Sequence, residues 1–301
     1  MSINIETAVL IVGAGPVGLT LALDLAWRGI EVAVVEIRGH GVPPPAKCNH
    51  VSARTMEVYR RLGISQKIRD AGLPADYPND VAFRTTFTGI EFARIPIPCR
   101  RDRYTTTEGP DTGWPTPEPP HRINQIYLEP ILFEQAAATA EISIHCRSRF
   151  IALEQSDHGA VAVIEDLETG NTHHFCCEYL IGCDGGSSTV RKSIGSQFHG
   201  DSVLQRCQSS FIRAAELIHL QNEKPAWSTI SLNSRRSGNV YAIDGQSLWI
   251  VHNYLREDET DFESVDRDSS IRTILGVDDE FKYDILARED WFGRRLVADR
   301  F

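Results

Sequence analysis

Residues 7–36, TAVLIVGAGPVGLTLALDLAWRGIEVAVVE, decide the fold predicted for this chain. Residues 7–12 are a β-branched, apolar run, which is typical of a parallel strand buried on both faces. A glycine-rich loop follows, and apolar residues then recur at helical spacing until Gly29, which favours the end of the helix. Residues 31–36 give a second buried strand. The stretch therefore predicts a complete β-α-β unit.

The loop between the first strand and the helix has the Gly-x-Gly-x-x-Gly spacing of dinucleotide-binding loops. Gly13 allows a tight turn, Gly15 lets a pyrophosphate approach the backbone, and Gly18 lets the helix pack closely on the strand. The helix N-terminus adds unpaired N–H groups and a partial positive charge for the phosphates. Glu36 ends the second strand, where its carboxylate can accept hydrogen bonds from ribose hydroxyls. The unit alone does not choose between NAD and FAD.

The composition limits the class of protein. The chain has 301 residues, of which 42% are hydrophobic and 24% charged, so we expect a globular fold of one large domain or two interleaved ones. A formal net charge of -10 argues against nucleic acid as a partner. We expect no membrane-spanning helix, since no apolar stretch is long enough, and no signal peptide at the acidic start MSINIETAVL. The cysteines form no C-x-x-C pair and predict reduced thiols in the cytoplasm.

One group of metal-ligand residue types is close together in the sequence: His173, His174, Cys176 and Cys177. We expect all of them on one strand, whose side chains alternate between the two faces of the sheet. Ligands distributed in this way cannot form one tetrahedron around a zinc ion. We therefore predict no metal site.

The rest of the chain predicts a β-rich layer that interrupts the β-α unit. The predicted helices are 52–71 and 123–139, and the predicted strands lie within 81–99, 141–183 and 208–255. Residues 109–120, GPDTGWPTPEPP, are too rich in proline for regular structure and predict a long loop that is either functional or mobile. We therefore expect two interleaved domains.

A second motif, YLIGCDGGSSTVRKSIG at residues 179–195, distinguishes FAD from NAD. It resembles the Asp-Gly motif of the group A flavoprotein aromatic monooxygenases, the family of phenol hydroxylase and para-hydroxybenzoate hydroxylase. Two earlier segments also resemble that family: SARTME at 52–57, which leads into RRLGI, and RINQ at 122–125, which is followed by Leu128-Glu129-Pro130. With Arg38 after Glu36, the ordered motifs extend over residues 7–195.

The resemblance implies an α/β fold, in which a Rossmann-like FAD-binding domain of the glutathione-reductase type is interleaved with a β-rich substrate domain. It implies that residues 1–80 and 121–200 form the FAD-binding domain, and that residues 81–120 and 201–301 form the substrate domain. The cofactors that it implies are FAD and, as co-substrate, NADH or NADPH.

The resemblance also implies which residues contact FAD. They include the loop from Lys47 to Ser52, and the individual candidates are Gly13, Ala14, Gly15, Pro16, Val17, Gly18, Glu36, Arg38, Lys47, Ser52, Arg54, Gln125, Asp184 and Gly185. Three of them have a plainer alternative: Arg54 as a solvent-facing side chain, Gln125 as a polar residue of a first helical turn, and Asp184 as a helix cap.

The activity implied by the resemblance is hydroxylation of a phenolic or other aromatic ring. NADH or NADPH reduces FAD, O₂ adds to the reduced flavin, and a C4a-hydroperoxyflavin transfers one oxygen to the ring. Arg213, Tyr241 and His252 are candidates for a base or cation that favours an ionised phenol, but each has a structural alternative, so no catalytic residue is assigned. The expected partner is a small aromatic molecule, and we also consider a homodimer.

Two other functions stay open. A flavin-binding protein without hydroxylase activity is one, since the family's further Gly-Asp motif, after a segment such as REDWFGRRLVADRF at 288–301, is not found before the last residue. We therefore expect a C-terminally truncated chain that binds FAD weakly and oxidises NAD(P)H without hydroxylating a substrate. The other is an NAD-dependent dehydrogenase, which Glu36 permits but in which Asp184-Gly185 has no role.

Overall fold

The computed structural model describes residues 4–47 and 49–301, so Cys48, within the predicted Lys47–Ser52 loop, lies outside the described residues. The chain forms two compact units, and each unit contains separate segments of the chain. The first holds the chain up to Pro44, Gln125–His199 and Val297–Phe301, and the second holds Pro45–Asn124 and Gly200–Leu296. No helix in the described part of the chain is long and apolar enough to cross a bilayer.

The helices and strands are numbered in chain order. The helices are α1 Pro16–Trp27, α2 Ala53–Arg61, α3 Ser65–Arg69, α4 Gln125–Ala137, α5 Thr189–Ser193 and α6 Arg267–Leu275. The strands are β1 Asn4–Val12, β2 Val32–Val35, β3 Val81–Arg84, β4 Glu91–Ile95, β5 Ile142–His145, β6 Ser148–Ser156, β7 Gly159–Asp166, β8 Thr172–Gly182, β9 Phe198–Arg213, β10 Ser228–Ser231, β11 Gly238–Ala242, β12 Leu248–Tyr254 and β13 Asp284–Ala298.

The sheet of the first unit has the strand order β5-β2-β1-β8-β7-β6. β1 pairs in parallel with β2 on one side and with β8 on the other, while β6, β7 and β8 are antiparallel neighbours. The last four residues of β1 and all of β2 are buried, as expected of apolar parallel strands that are covered on both faces. Leu10, Ala33 and Phe175 belong to the core that they form. The predicted β-α-β unit is confirmed.

The sheet of the second unit has the strand order β13-β9-β12-β11-β10-β3-β4. From β9 to β10 the neighbours are antiparallel, and β3 joins β10 in parallel. Helix α6 covers one face, where Ile271 and Ile274 belong to the same buried cluster as Trp249 and Val251. Because side chains alternate along a strand, Tyr241 and His252 lie on the opposite face from these core residues.

Two details differ from the sequence-based prediction. Residues 52–71 form two helices rather than one, because Gly63 separates α2 from α3 with a left-handed φ of 77°. The two compact units also divide the chain differently from the predicted domains, since residues 45–80, which include α2 and α3, group with the second unit. The assignment of each segment to FAD binding or to substrate binding stays a prediction.

The proline-rich segment 109–120 contains no helix or strand, as its sequence predicts. A buried ion pair holds its end: Arg69 donates to Glu118 Oε2 from Nη2 at 2.6 Å and from Nε at 3.1 Å. The Tyr104 hydroxyl donates to the same oxygen at 2.8 Å. The backbone of this irregular loop is therefore fixed by side chains rather than by secondary structure.

Candidate functional site

The candidate site of the first unit lies at the carboxyl ends of three parallel strands. Val12 of β1 is in register with Val35 of β2 and with Gly182 of β8, so the three strands end together. The glycine loop follows β1, Glu36 follows β2, and Asp184 closely follows β8. In open α/β sheets, ligands bind at this edge, where strands on the two sides of a central strand diverge. Pairing of the strands thus brings three sequence-distant motifs together.

Two glycines of the loop are required by the packing of the chain itself. Gly13 has a φ of 107°, and a Cβ on it would lie 2.5 Å from the carbonyl oxygen of Cys183. Its N–H donates to the Val35 carbonyl at 2.8 Å, which fixes the turn against β2. A Cβ on Gly18 would lie 2.0 Å from the Gly13 carbonyl oxygen. Both positions therefore exclude any side chain before a ligand is considered.

Gly15 differs, because its surroundings leave room for a side chain. It is the N-cap of α1 with extended backbone, and no atom of the chain lies within 4 Å of an ideal Cβ. No side chain caps the helix here; Pro16 fills the first turn and Val17 is 70% exposed. The uncapped N–H groups of a helix N-terminus attract anions. The chain thus has an open, positively polarised surface where the sequence predicts pyrophosphate.

Glu36 is 8% exposed and already holds the glycine loop. Its Oε2 accepts a hydrogen bond from the Ala14 N–H at 2.7 Å, and its Oε1 accepts from the N–H and the Nε of Arg38 at 3.0 and 2.9 Å. Burial by itself raises the pKa of Glu36, but the hydrogen bonds from Arg38 and Ala14 outweigh burial and lower the pKa. Glu36 is therefore an ionised structural link between the loop and β2.

The network continues to helix α4. Arg38 Nη2 forms an ion pair with Glu129 Oε1 at 2.6 Å, and Gln125 Nε2 donates to Glu129 Oε2 at 2.8 Å. Burial lowers the pKa of Arg38, but its bonds to Glu36 and Glu129 raise it overall. The structure thus joins the predicted residues Glu36, Arg38 and Gln125 through Glu129, which was not among the predicted contacts. The sequence did contain a signal for Glu129: it lies four residues after Gln125 in a predicted helix, so the two side chains are neighbours on one helix face.

Asp184 accepts hydrogen bonds at the start of helix α5, whose N-cap residue is Ser188. Its Oδ1 accepts from the Ser188 hydroxyl at 2.5 Å, and its Oδ2 accepts from the N–H groups of Thr189 and Val190 at 2.6 and 3.1 Å. The plainer alternative considered for Asp184 was a helix cap, and its carboxylate does stabilise the helix N-terminus together with the N-cap Ser188. It also lies beside the glycine loop, since Gly13 adjoins Cys183 and Asp184. Gly185 follows with a left-handed φ of 80°.

Three predicted contacts belong to the second unit. Lys47 forms an ion pair with Glu289, and Ser52 is the N-cap of α2, where its hydroxyl oxygen accepts from the Thr55 N–H at 3.3 Å. Arg54 lies on the surface of α2, with a side chain that is 82% exposed and 3.3 Å from Glu57. Their local contacts are those of a loop residue, a helix cap and a solvent-facing side chain.

The second unit carries a cluster of aromatic rings on the sheet face opposite α6. Tyr241 has its ring centroid 5.1 Å from that of Trp227 and 5.5 Å from that of His252, and His252 also contacts Trp291 at 5.7 Å. Burial lowers the pKa of His252 to about 4, so its imidazole is neutral at pH 7, and its buried Nδ1 has no hydrogen-bond partner among the described residues. Arg213, at the end of β9, is exposed.

Comparison with known proteins identifies the family. The family described as FAD binding domain matches residues 6–301. The FAD-dependent monooxygenase apdD of Emericella nidulans is 29% identical over 281 residues, which are 89% of this chain and 44% of that protein. The 2,4-dichlorophenol 6-monooxygenase of Delftia acidovorans is 30% identical over 203 residues, which are 65% of this chain and 32% of that enzyme.

A comparison with solved structures also finds a flavin-binding enzyme. The rebeccamycin biosynthetic enzyme RebC with reduced flavin superposes with a TM-score of 0.86 at 33% identity, over 99% of this chain and 54% of that one. The chain thus spans about half the length of RebC and less than half of the two curated relatives. Because the family match extends over nearly all residues, this chain belongs to the FAD-binding-domain family, and the resemblance to flavoprotein aromatic monooxygenases is confirmed.

Proposed function

We propose that this chain is the FAD-binding and substrate-binding part of a monooxygenase that hydroxylates a phenolic or other aromatic ring, with NADH or NADPH and O₂ as co-substrates. The observation that carries the proposal is the open space at Gly15, where α1 begins without a side-chain cap and nothing in the chain fills the position of a Cβ. Family membership and the reduced flavin in the related RebC structure support FAD as the ligand.

The residues of the first unit fit such a ligand. The loop Gly13–Gly18 and the N-terminus of α1 would hold the pyrophosphate. An ionised carboxylate offers about four lone-pair sites, so Glu36, which uses three, retains one acceptor position for a ribose hydroxyl. Gln125, Asp184 and Gly185 are proposed contacts of the remaining parts of FAD. Lys47, Ser52 and Arg54 stay proposed contacts on the strength of the motif resemblance alone.

The aromatic cluster of the second unit is the proposed binding surface for the ring of the substrate. Trp227, Tyr241 and Trp291 offer apolar ring faces, and the unpartnered Nδ1 of neutral His252 can accept a hydrogen bond from a phenol hydroxyl. The Tyr241 hydroxyl accepts a hydrogen bond from Asn239 at 2.8 Å, which fixes its orientation. These residues bind and orient the ring and exclude water from it, whereas FAD, when bound, supplies the oxygen chemistry.

The alternatives differ in what the chain does with flavin. The family match disfavours the NAD-dependent dehydrogenase. A flavin-binding protein without hydroxylase activity remains the second candidate, because the phosphate and ribose contacts do not depend on any substrate. The oxygen-transfer route, the homodimer and the cytoplasmic location stay predictions.

A titration and a turnover assay test the proposal. We expect the purified chain to bind FAD saturably, as followed by its visible absorption, and Gly15→Val to abolish this binding. Gly113→Val is the matched control, because Gly113 also has open space around an ideal Cβ but lies in the proline-rich loop. Stimulation of NAD(P)H oxidation by 2,4-dichlorophenol, with a hydroxylated product, supports the monooxygenase. Saturable FAD binding without any response to phenols favours the second candidate, and no FAD binding refutes both.

A further inference from the structure

The second unit contains a buried cluster of charged groups that the contacts described so far do not explain. Arg103 Nη2 forms an ion pair with Asp111 Oδ2 at 2.5 Å, and Arg122 Nη2 lies 3.6 Å from the same oxygen. Each guanidinium also lies over a tryptophan ring: Arg103 over Trp114 at 5.6 Å and Arg122 over Trp227 at 4.0 Å. The cluster therefore combines two planar cations, their aromatic supports and a single carboxylate.

Both arginines are largely buried, and the donors of Arg103 are only partly satisfied. Arg103 is 3% exposed, and its Nε and Nη1 are buried without a hydrogen-bond partner in the described part of the chain. The Arg122 side chain is 12% exposed, and burial lowers its pKa to about 10, so it is still a cation at pH 7. The nearby His50 is neutral, because burial and Arg122 lower its pKa to about 4. Among the residues that the structure describes, these two buried cations thus share one carboxylate, although buried charges normally have full sets of partners.

Asp111 reaches the arginines from an unusual backbone conformation. Its φ of 56° is left-handed, which is uncommon outside glycine. It lies in the proline-rich loop, whose other end is fixed independently by the Arg69–Glu118 ion pair. Asp111 is also partly exposed, with 34% of its side chain accessible, whereas Arg103 is almost fully buried. The carboxylate therefore enters the cluster from the solvent side, and the loop can release it without releasing Glu118.

The cluster adjoins the aromatic surface of the same unit. Trp227 stacks on Arg122 and contacts Tyr241, which in turn contacts His252. The arginine cluster, which can bind an anion, and the aromatic surface therefore share Trp227. Arginine guanidinium groups bind carboxylates through paired N–H donors, and the donors of Arg103 that lack a partner are suited to a second carboxylate oxygen.

We propose that Arg103 and Arg122 bind the carboxylate of an aromatic acid, and that Asp111 occupies this position until the acid displaces it. This inference rests on the aromatic substrate proposed above and names its class: a hydroxylated aromatic ring that bears a carboxylate. Asp111 then acts as an internal competitor, so acids bind more tightly when its charge is removed, whereas neutral phenols with the same ring gain nothing.

Binding measurements on the whole 301-residue chain test this with two matched probes, 3-hydroxy-2-naphthoate and 2-naphthol. Dissociation constants are measured by calorimetry at pH 7 for the native chain, Asp111→Asn, Arg122→Gln and Glu108→Gln. Asparagine tolerates the left-handed conformation of Asp111, and Glu108 is an exposed acid of the neighbouring loop that serves as control. A gain of affinity in Asp111→Asn cannot result from misfolding.

We expect Asp111→Asn to bind the naphthoate about tenfold more tightly and Arg122→Gln to bind it about tenfold more weakly, as for one charge-assisted hydrogen bond. The binding of 2-naphthol changes less than twofold in both variants, and Glu108→Gln resembles the native chain with both probes. Equal changes in affinity for both probes, or no gain of naphthoate affinity in Asp111→Asn, overturn this inference but leave the proposed aromatic binding surface standing. If neither probe binds to a chain that does bind FAD, the inference and the proposed aromatic substrate fail together.

Discussion

Glu36→Gln tests whether this carboxylate stabilises the glycine loop in the chain without bound FAD. Glu36 accepts three hydrogen bonds, from the Ala14 N–H and from two donors of Arg38, and it is 8% exposed. Glutamine has almost the same shape, but it offers one oxygen and one NH₂ group. Whichever way the amide turns, one of its two neighbours loses its acceptor. We therefore expect a loss of stability in the chain without FAD.

The expected loss of stability is the sum of two costs, one at the Ala14 N–H and one at Arg38, the two groups that the carboxylate binds. If the amide oxygen stays with Arg38, the buried Ala14 N–H faces an NH₂ group, and an unsatisfied buried donor costs about 1–3 kcal/mol. Arg38 loses one of its two carboxylate partners but retains Glu129 at 2.6 Å, so this side adds about 1 kcal/mol. The expected loss is about 3 kcal/mol, a large share of the roughly 5–15 kcal/mol that stabilises a typical domain.

The pH dependence of this stability difference is a second, independent test of the role of Glu36. The folded pKa of Glu36 lies below its ordinary value of 4.5, so the carboxylate stabilises the folded chain above the unfolded pKa. This contribution is lost as the pH falls through the folded pKa. The difference between the native chain and Glu36→Gln is therefore constant near neutral pH and shrinks below about pH 4.

Urea denaturation followed by circular dichroism at pH 7 and at pH 3.5 measures both effects. Glu154→Gln is the control, because Glu154 is an exposed acid on β6 of the same unit, and it should change stability by less than about 0.5 kcal/mol. A Glu36→Gln chain as stable as the control at pH 7 would refute the structural role assigned to Glu36. A stability difference that grows on acidification would contradict the lowered pKa.

Three further substitutions separate folding from binding. Gly15→Val should leave the thermal melting of the chain unchanged while it abolishes FAD binding. Gly18→Ala should lower the melting temperature, because its Cβ would lie 2.0 Å from the Gly13 carbonyl oxygen. Asp184→Ala removes the acceptor of the Thr189 and Val190 N–H groups at the start of α5 and should destabilise the chain by about 1 kcal/mol, as urea denaturation would measure; an unchanged midpoint contradicts this role. Arg54→Ala should change stability by less than about 0.5 kcal/mol, so weaker FAD binding in titrations would identify Arg54 as a ligand contact.

The first β-α-β unit was predictable because every local signal agrees. The buried strands are β-branched and apolar, the loop contains the glycines that the turn needs, and the helix begins at a proline, which favours a first turn. The helix prediction for 52–71 was wrong in extent, because Gly63 ends α2 in a left-handed conformation that one glycine in a helical pattern does not reveal. The helical spacing on both sides of it is correct.

The contacts of the candidate site were less predictable than its position. Strand order brings the glycine loop, Glu36 and Asp184 together. The β-α-β pattern predicts the pairing of β1 with β2, but not the pairing of β1 with β8 that places Asp184 there. Side-chain pairing between distant segments does not follow from any local period, so the link from Arg38 to Glu129 was missed. The pairing of Asp111 with Arg103 was missed for a further reason, since an irregular loop has no register from which a partner can be inferred.

The glycines of the motif therefore differ in what requires them, and the spacing of the motif does not show this difference. Gly13 and Gly18 are glycines because the chain's own carbonyl groups occupy the space of a side chain. Gly15 faces open space, so the packing of the chain itself does not require a glycine there. A protein that had kept the fold and lost the nucleotide would tolerate change at Gly15 while keeping the other two. In this chain all three are glycine and Glu36 still has an acceptor position to offer, and this combination argues for nucleotide binding more strongly than the motif spacing does.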